Sequence, residues 1–191
     1  MNSMLSRYYI IRNIFLFILI TPIFGCMSTA PVDNAPFSKI TSIDQLEGTY
    51  KNKGDSGPGN TYNIYLSQII WPSEKSVVDK DISLIKVKKI SDTSLKVSAI
   101  HDGAVVKSAI FTRGKDFKIG NGVIVITNKI AIAGFKSGEP MLGVYTESRQ
   151  LGIDEKGQGK YHSSGAAAGL AYLFLPIALV DSTDVRFYRV K

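Results

Sequence analysis

The sequence of 191 residues contains one cysteine, Cys26, and two histidines, His101 and His162. A single thiol excludes an internal disulfide and would leave an exported chain with one free reactive group. Two imidazoles and one thiol also fall short of the four ligands that a structural zinc site takes. We therefore predict a fold stabilised by its apolar core, with no metal site and no cofactor.

The N-terminal region lacks an apolar run long enough to cross a membrane as a helix. Residues 14–24 are mostly apolar, but they number 11 and include Thr21 and Pro22, whereas a spanning helix needs about 20. The order of residues is that of an export signal instead, because two arginines precede the apolar run and a glycine precedes the cysteine.

The four residues Ile23-Phe24-Gly25-Cys26 resemble the lipobox of bacterial lipoproteins. The resemblance implies cleavage before Cys26, diacylglycerol on the sulfur of Cys26 and, usually, an acyl chain on its new amino group. Two or three acyl chains anchor a protein firmly, since each buried methylene contributes about 0.8 kcal/mol. We therefore predict that residues 1–25 are a signal peptide and that Cys26 is lipidated. The alternatives are an ordinary signal peptide that is cut elsewhere and an uncleaved anchor.

Aspartate is absent just after Cys26, where the sequence reads Met27-Ser28-Thr29. Lipoproteins with aspartate at that place tend to be kept at the inner membrane. The resemblance therefore implies the outer membrane of a Gram-negative cell envelope, with the protein facing the periplasm.

Charge of one sign is not concentrated in this chain. The formal net charge is +7, and without the two arginines of residues 1–25 there are 21 basic and 16 acidic residues, a net charge of +5. The excess lysines fit solvated strand faces, and they also fit attraction to anionic lipid headgroups beside the anchor. With no arginine-rich helix or ribbon of alternating aromatic and basic residues, the sequence argues against a nucleic-acid partner.

Short runs rich in Val, Ile, Thr and Phe fill most of the remaining chain, and turn residues separate them at a spacing of about 8 to 12 residues. This pattern predicts an antiparallel meander in a single mainly β domain over residues 43–191, preceded by a flexible tether over residues 26–42. A helix of two turns is predicted within residues 61–72, ended by Pro72. The predicted strands are residues 82–90, 95–100, 105–112, 117–119, 123–127, 129–135, 141–153, 160–163 and 184–190.

The ends of this domain suggest how the strands close. The segment Leu46-Glu47-Gly48-Thr49-Tyr50 is similar to the start of lipocalin-like barrels, in which a Gly-x-aromatic on the first strand closes the base. The resemblance implies that an arginine of the last strand, Arg186 or Arg189, packs over Tyr50. We expect a small lipocalin-like barrel or a partly open barrel with one or two short helices, since closure removes exposed sheet edges.

No residue pattern predicts catalysis. Gly54-Asp55-Ser56-Gly57-Pro58 looks like the nucleophile loop of chymotrypsin-like proteases, but both histidines lie downstream of it and the preceding segment is a predicted tether. Asp102-Gly103 predicts a hairpin turn after a strand that ends at His101. We therefore name no catalytic residue.

Residues 165–180 carry no charge and no polar group except the hydroxyl of Tyr172. Three interpretations are open: a core segment that covers one end of the barrel, a surface loop or short helix that dips into the bilayer, and a second transmembrane span. Under the first two interpretations, the residues that contact the membrane or a ligand are Leu170, Tyr172, Leu173, Phe174 and Leu175.

We expect a non-enzymatic envelope lipoprotein that binds a lipid, another amphiphile or an envelope protein partner in cell-envelope maintenance. The alternative is a structural or inhibitory lipoprotein that acts by protein–protein contact and has no ligand cavity.

Overall fold

The structure is a computed structural model, and it describes residues 23–58, 60–72, 79–133, 141–171 and 175–190. Most of these residues form strands. In chain order the elements are β1 Ile23–Thr29, β2 Phe37–Ser38, β3 Gly48–Lys51, α1 Leu66–Ile70, β4 Leu84–Ser91, β5 Ser94–His101, β6 Ala104–Thr112, β7 Lys118–Gly120, β8 Val123–Ala133, β9 Met141–Asp154, β10 Gly159–Ala171, β11 Leu175–Phe187 and β12 Arg189–Val190. Two 3-10 helices cover Ile43–Leu46 and Asp79–Asp81.

The described strands form two sheets. One has the order β12-β3-β4-β5-β6, and the other has the order β1-β11-β10-β9-β8-β7, with β2 paired to β9. The predicted mainly β fold is thus confirmed. The lipocalin-like barrel is not confirmed, because the ladders of the described strands fall into two separate sheets and no closed barrel is found.

Contacts between Cα atoms divide the chain into two compact units. The described part of unit 1 comprises residues 23–27, 129–133, 141–147, 165–171 and 175–181. The described part of unit 2 comprises residues 28–58, 60–72, 79–128, 148–164 and 182–190. The sequence predicts a single domain over residues 43–191, whereas strands β8 to β11 contribute residues to both units.

Unit 2 contains the main apolar core. Strand β5 shows how the sequence builds it, because Leu95, Val97 and Ala99 are buried while Lys96 is exposed, as their alternation predicts. Ser98 also alternates with them and is predicted to be solvated, but it is buried. Val97 lies opposite Val87 of β4 and Ala109 of β6. Apolar residues of adjacent strands therefore share one face, and this face is buried.

The predicted helix within residues 61–72 is present but short. Helix α1 has five residues, and the chain leaves it at Trp71, just before Pro72. No side chain caps its first turn from Tyr65, but the side chain of Asn52 accepts a hydrogen bond from the amide of Ser67 at 2.8 Å. Asn52 is fully buried, and it also donates to the carbonyl of Ile82 at 3.1 Å. One asparagine therefore joins the start of α1 to the chain before β4.

The predicted turn after His101 is confirmed. Strand β5 ends at His101 and β6 begins at Ala104. Between them Asp102 has φ 47° and Gly103 has φ 78°. Two successive positive φ angles are typical of the two-residue turn that matches strand twist.

Residues 31–40 are packed against unit 2, although the sequence predicts that they belong to a flexible tether. Pro31, Ala35 and Ile40 are buried, and β2 pairs with β9. The ammonium group of Lys160 donates to the carbonyl of Ala35 at 2.7 Å. The polar composition of 26–42 misled the prediction, because small residues and backbone carbonyls can serve as partners for buried cations.

Candidate functional site

Unit 2 contains an apolar cavity of about 180 Å³ that is partly open to solvent. Both sheets contribute residues of unit 2 to its wall, as do α1, the end of the first 3-10 helix and the turn before β7. The lining residues are Leu46, Tyr50, Leu66, Ile69, Ile70, Val87, Leu95, Val97, Phe111, Asp116, Phe117, Ile124, Val125, Ile126, Leu151, Gly152, Ile153, Gly159 and Phe187.

The lining offers very few polar groups. Tyr50 and Asp116 are its ionisable residues, and the other lining side chains are hydrocarbon or absent. Asp116 is exposed and accepts a hydrogen bond from the amide of Thr112 at 2.8 Å. The cavity therefore reaches solvent near this turn, while its interior is suited to an apolar group.

The volume limits what the cavity can hold. An apolar cavity of about 150 Å³ can bind benzene, whereas pockets for larger organic ligands span about 300–1,000 Å³. The value of about 180 Å³ lies near the lower case. The cavity fits a small apolar molecule or a short segment of an acyl chain, and it is too small for a whole lipid.

Tyr50 forms part of the cavity wall and is held in place from both sides. Its hydroxyl donates to the carbonyl of Leu46 at 3.0 Å, and the guanidinium carbon of Arg189 lies 5.8 Å from the centre of its ring. Burial raises the pKa of Tyr50 above its ordinary value, and the positive charge of Arg189 opposes this shift. The phenol therefore stays neutral at the edge of the cavity.

The structure brings together Gly48, Tyr50 and Arg189, the residues that the lipocalin resemblance implies for closing a barrel. Arg189 lies directly opposite Tyr50 in the pairing of β12 with β3. A Cβ on Gly48 would lie 2.5 Å from Nε of Arg189, so the arginine occupies the space above a glycine. These contacts join β12 to β3 at the edge of the five-stranded sheet, where no barrel is closed.

Trp71 lies behind the cavity wall. It is the only tryptophan of the chain, and its ring is 6.3 Å from that of Phe111, which lines the cavity. The ammonium of Lys107 lies 4.6 Å from the centre of the indole ring. Among the described residues, the indole nitrogen of Trp71 is the buried side-chain polar atom without a hydrogen-bond partner. Its fluorescence should therefore respond to what fills the neighbouring cavity.

The residues predicted as membrane or ligand contacts lie elsewhere. Leu170 is on β10 and Leu175 is on β11, both in unit 1, and neither lines the cavity of unit 2. Tyr172, Leu173 and Phe174 lie outside the described residues. The segment 165–180 forms strands over its described residues.

Cys26, the predicted lipidation site, is exposed on β1. In the described part of the chain no helix is both long and apolar enough to cross a membrane.

Buried ionic contacts in unit 2 escaped the sequence prediction. Nζ of Lys160 is 3.1 Å from Oδ1 of Asp184, which in turn is 3.2 Å from Nδ1 of His162. Lys160 also donates to Oδ1 of Asn34 at 2.7 Å. The partners lie far apart in sequence, so no local spacing could have revealed them. Lys160 and Asp184 thus find their partners within this cluster, which suits a structural role.

We searched the described residues for groups of three or more His, Cys, Asp or Glu side chains that could hold a metal ion, and we found none. Comparison of the chain with protein-family models, with curated protein sequences and with solved structures gave no match.

Proposed function

We propose that the protein is a lipid-anchored lipoprotein of the bacterial cell envelope that binds an apolar part of a lipid or other amphiphile in the cavity of unit 2, without catalysing a reaction. The observation that carries this proposal is the cavity, with about 180 Å³ lined by hydrocarbon side chains. An apolar concave site with few polar groups is the usual form of a ligand pocket.

The anchor is supported by the sequence of residues 1–26. Cys26 is exposed, so its sulfur is accessible to a modifying enzyme. Cleavage before Cys26 would remove the first three residues of β1 and leave the acylated residue on the remaining part of that strand. The outer membrane, with the protein facing the periplasm, is the location that the residues after Cys26 favour.

A second candidate function is a structural or inhibitory lipoprotein that acts through its surface by protein–protein contact. The small size of the cavity favours it, because a void of this volume can also be left by imperfect packing of large side chains. The two functions differ in what accompanies the purified protein: a bound amphiphile in the first case and a stoichiometric envelope protein in the second.

The test fills the cavity and asks whether a ligand is lost. The protein, purified from its membrane, is examined by native mass spectrometry, and we expect a co-purifying amphiphile beyond the mass of the acylated chain. Val97→Phe adds volume inside the cavity and should remove this ligand. Val105→Phe adds the same atoms on a side chain of β6 that is 60% exposed, and it should retain the ligand.

A fluorescence measurement gives an independent readout. A bromine-labelled fatty acid should quench Trp71 in the parent protein and in Val105→Phe, but much less in Val97→Phe. The ligand function is refuted if the parent protein has a bare mass, takes up nothing from liposomes and shows no quenching. A stoichiometric partner recovered from an envelope extract would then support the second function.

A further inference from the structure

In unit 1 the charged residues Glu147 and Asp181 lie in one row across adjacent strands. The hydroxyl of Thr146 donates to the carbonyl of Ala166 at 3.5 Å, which aligns β9 with β10 and puts Glu147 opposite Gly165. A Cβ on Gly165 would in turn touch the carboxylate of Asp181 on β11. Glu147, Gly165 and Asp181 therefore form one row across three adjacent strands.

Apart from Lys129, Glu147 and Asp181, the described residues of unit 1 carry no charge. We call those beyond the row the uncharged region; after the cleavage proposed above it comprises residues 26–27, 130–133, 141–146, 166–171 and 175–180. Its polar side-chain groups are the hydroxyls of Tyr145 and Thr146 and the thiol of Cys26. Five strands thus share a region with almost no group that water could solvate.

Several large apolar side chains of this region are exposed to the surroundings. Ile130 and Ile132 are 76% and 80% exposed, and they alternate along β8. The alignment of β9 with β10 puts Leu142 opposite Leu170, and both are exposed. Val144 and Val180 are exposed as well. A contiguous apolar face of this kind marks a surface that has a partner.

The other face combines small residues of β9 and β10 with Tyr145 of β9 and Leu179 of β11, both of which are exposed. Gly143 and Gly169 lie side by side, since a Cβ on Gly143 would be 2.9 Å from Cα of Gly169. Ala167 follows two residues before Gly169 on the same face, as the alternation of side chains along a strand requires. Both faces of the region are therefore mainly apolar, and one of them is flat where Gly143 meets Gly169.

The position of Cys26 relates this region to a bilayer. Strand β1 neighbours β11, where a Cβ on Gly25 would be 3.0 Å from a methyl of Leu179, and Thr29 donates to Thr183 at 3.3 Å. The offset between the strands is the same at both points, so they run parallel and Cys26 lies beside Val180. The residue after Val180 is Asp181, which belongs to the charged row. Acyl chains on Cys26 would therefore begin next to the row of Glu147, Gly165 and Asp181.

We propose that the uncharged region of unit 1 inserts into the hydrocarbon of the lipid bilayer, with the row of Glu147, Gly165 and Asp181 at the membrane surface. Six residues of strand beyond the row extend about 20 Å, which exceeds the roughly 15 Å of one leaflet. A protein partner is less suited to this surface, because protein interfaces are rich in Arg and Trp and form many hydrogen bonds. The proposal rests on the proposed function only for the acyl chains on Cys26.

The first experiment measures depth in the acylated, membrane-bound protein. A dye that fluoresces more strongly in apolar surroundings is attached to Val144→Cys or, as the control, to Val105→Cys on β6 of unit 2. Acylated Cys26 has no thiol, so each protein carries one label. In vesicles of phosphatidylethanolamine and phosphatidylglycerol we expect a blue shift at position 144 and quenching by lipids with a spin label on the acyl chain. Equal emission and equal quenching at positions 144 and 105 would overturn the proposal.

The second experiment removes the anchor, so that failure of the lipidation proposal and failure of this one can be told apart. A mature chain that begins at position 26 with Cys26→Ser is floated with the same vesicles. We expect it to bind, and we expect a triple variant with Leu142→Gln, Val144→Gln and Leu170→Gln to bind roughly 1,000-fold more weakly, since each buried apolar side chain changes a partition constant by about tenfold. The matched triple variant with Val105→Gln, Val106→Gln and Ile110→Gln alters exposed residues of β6 and should bind like its parent.

Loss of flotation on Cys26→Ser alone would overturn insertion, even if mass spectrometry shows that the native chain is acylated. So would a stable oligomer, formed without vesicles, in which a label at position 144 is already shielded from water. If the native chain carries no lipid and the Cys26→Ser chain still floats and shows the blue shift, lipidation fails and insertion stands.

Discussion

Nε of Arg186 lies 3.1 Å from Oδ2 of Asp154, and both side chains are almost completely buried. Asp154 has a second role, since its Oδ1 accepts hydrogen bonds from the amides of Lys156 at 2.9 Å and Gln158 at 2.8 Å. One carboxylate therefore fixes the turn between β9 and β10 and neutralises a buried cation of β11.

The pair of Asp154 and Arg186 predicts that one conservative substitution lowers the stability of the fold strongly. Asp154→Asn can keep the acceptor for the turn but leaves Arg186 buried without its counter-charge. We expect the free energy of unfolding to fall by about 3 kcal/mol, as for other broken buried ion pairs. Urea unfolding followed by Trp71 fluorescence measures it. Asp102→Asn removes a charge from an exposed turn and should change stability little. A loss below about 1 kcal/mol in Asp154→Asn would contradict the buried pair.

The buried phenol of Tyr50 predicts a dependence of stability on alkaline pH. Burial raises the pKa of Tyr50 in the folded protein. Above the ordinary tyrosine pKa of about 10, the unfolded chain loses the proton while the folded chain keeps it, so rising pH favours unfolding. We expect stability to fall less steeply with pH in Tyr50→Phe than in the parent. Unfolding curves between pH 8 and about 11 compare the two slopes, and equal slopes would show that Tyr50 titrates alike in both states.

Gly48 and Arg189 should act through one contact. A Cβ at position 48 meets Nε of Arg189 at 2.5 Å, so Gly48→Ala must displace the guanidinium from the ring of Tyr50. We expect Arg189→Ala to lower the free energy of unfolding by about 1 kcal/mol. Gly48→Ala should lower it by more, because φ at Gly48 is 155° and a Cβ there also strains the backbone. The double variant should cost clearly less than the sum, because residues in contact are not additive. Additive costs in a double-mutant cycle would show that the two residues act separately.

Membrane insertion of unit 1 predicts self-association in the membrane. Cleavage before Cys26 would remove the part of β1 that lies beside the inserted residues of β11, so β11 and β8 would be the outer strands in the bilayer. Unpaired backbone groups in hydrocarbon are costly. Inserted copies should therefore pair along these edges. Ile132→Cys on β8 should form covalent dimers with a short thiol cross-linker in vesicles. Ile90→Cys lies on β4, an inner strand of the other sheet, and should cross-link far less. Equal yields at the two positions would indicate random collision.

Much of the fold of unit 2 follows from local sequence. The strands from β4 to β7 lie within a few residues of their predicted bounds, because β-branched residues alternate with polar ones and turn residues separate the runs. Asp102 and Gly103 mark their turn because both tolerate positive φ. The helix before Pro72 is also confirmed, although its five residues are fewer than the two turns that the sequence predicts.

Other features depend on partners that are distant in the sequence. Residues 165–171 and 175–180 form strands although Gly and Ala have weak β propensity. The small residues of β10 allow it to pair closely with β9, as the approach of Gly143 to Gly169 shows. Asp154 and Arg186 are 32 positions apart, so no periodicity connects them. The cavity is a void between side chains that the sequence correctly predicts as core, and a pattern of apolar residues does not reveal how completely they fill space.

The packing of residues 31–40 limits the length of free chain between Cys26, the proposed anchor, and the first buried residue. Cys26 and Pro31, the first buried residue of unit 2, are five positions apart in the sequence. An extended chain covers at most about 3.6 Å per residue, so the peptide between them measures no more than about 18 Å. A free tether over residues 26–42 would reach roughly three times as far. If Cys26 is acylated and the cavity binds an amphiphile, as we propose, this short connection suits the uptake of an amphiphile from the anchoring bilayer. It does not suit the transfer of an amphiphile across the gap to another membrane.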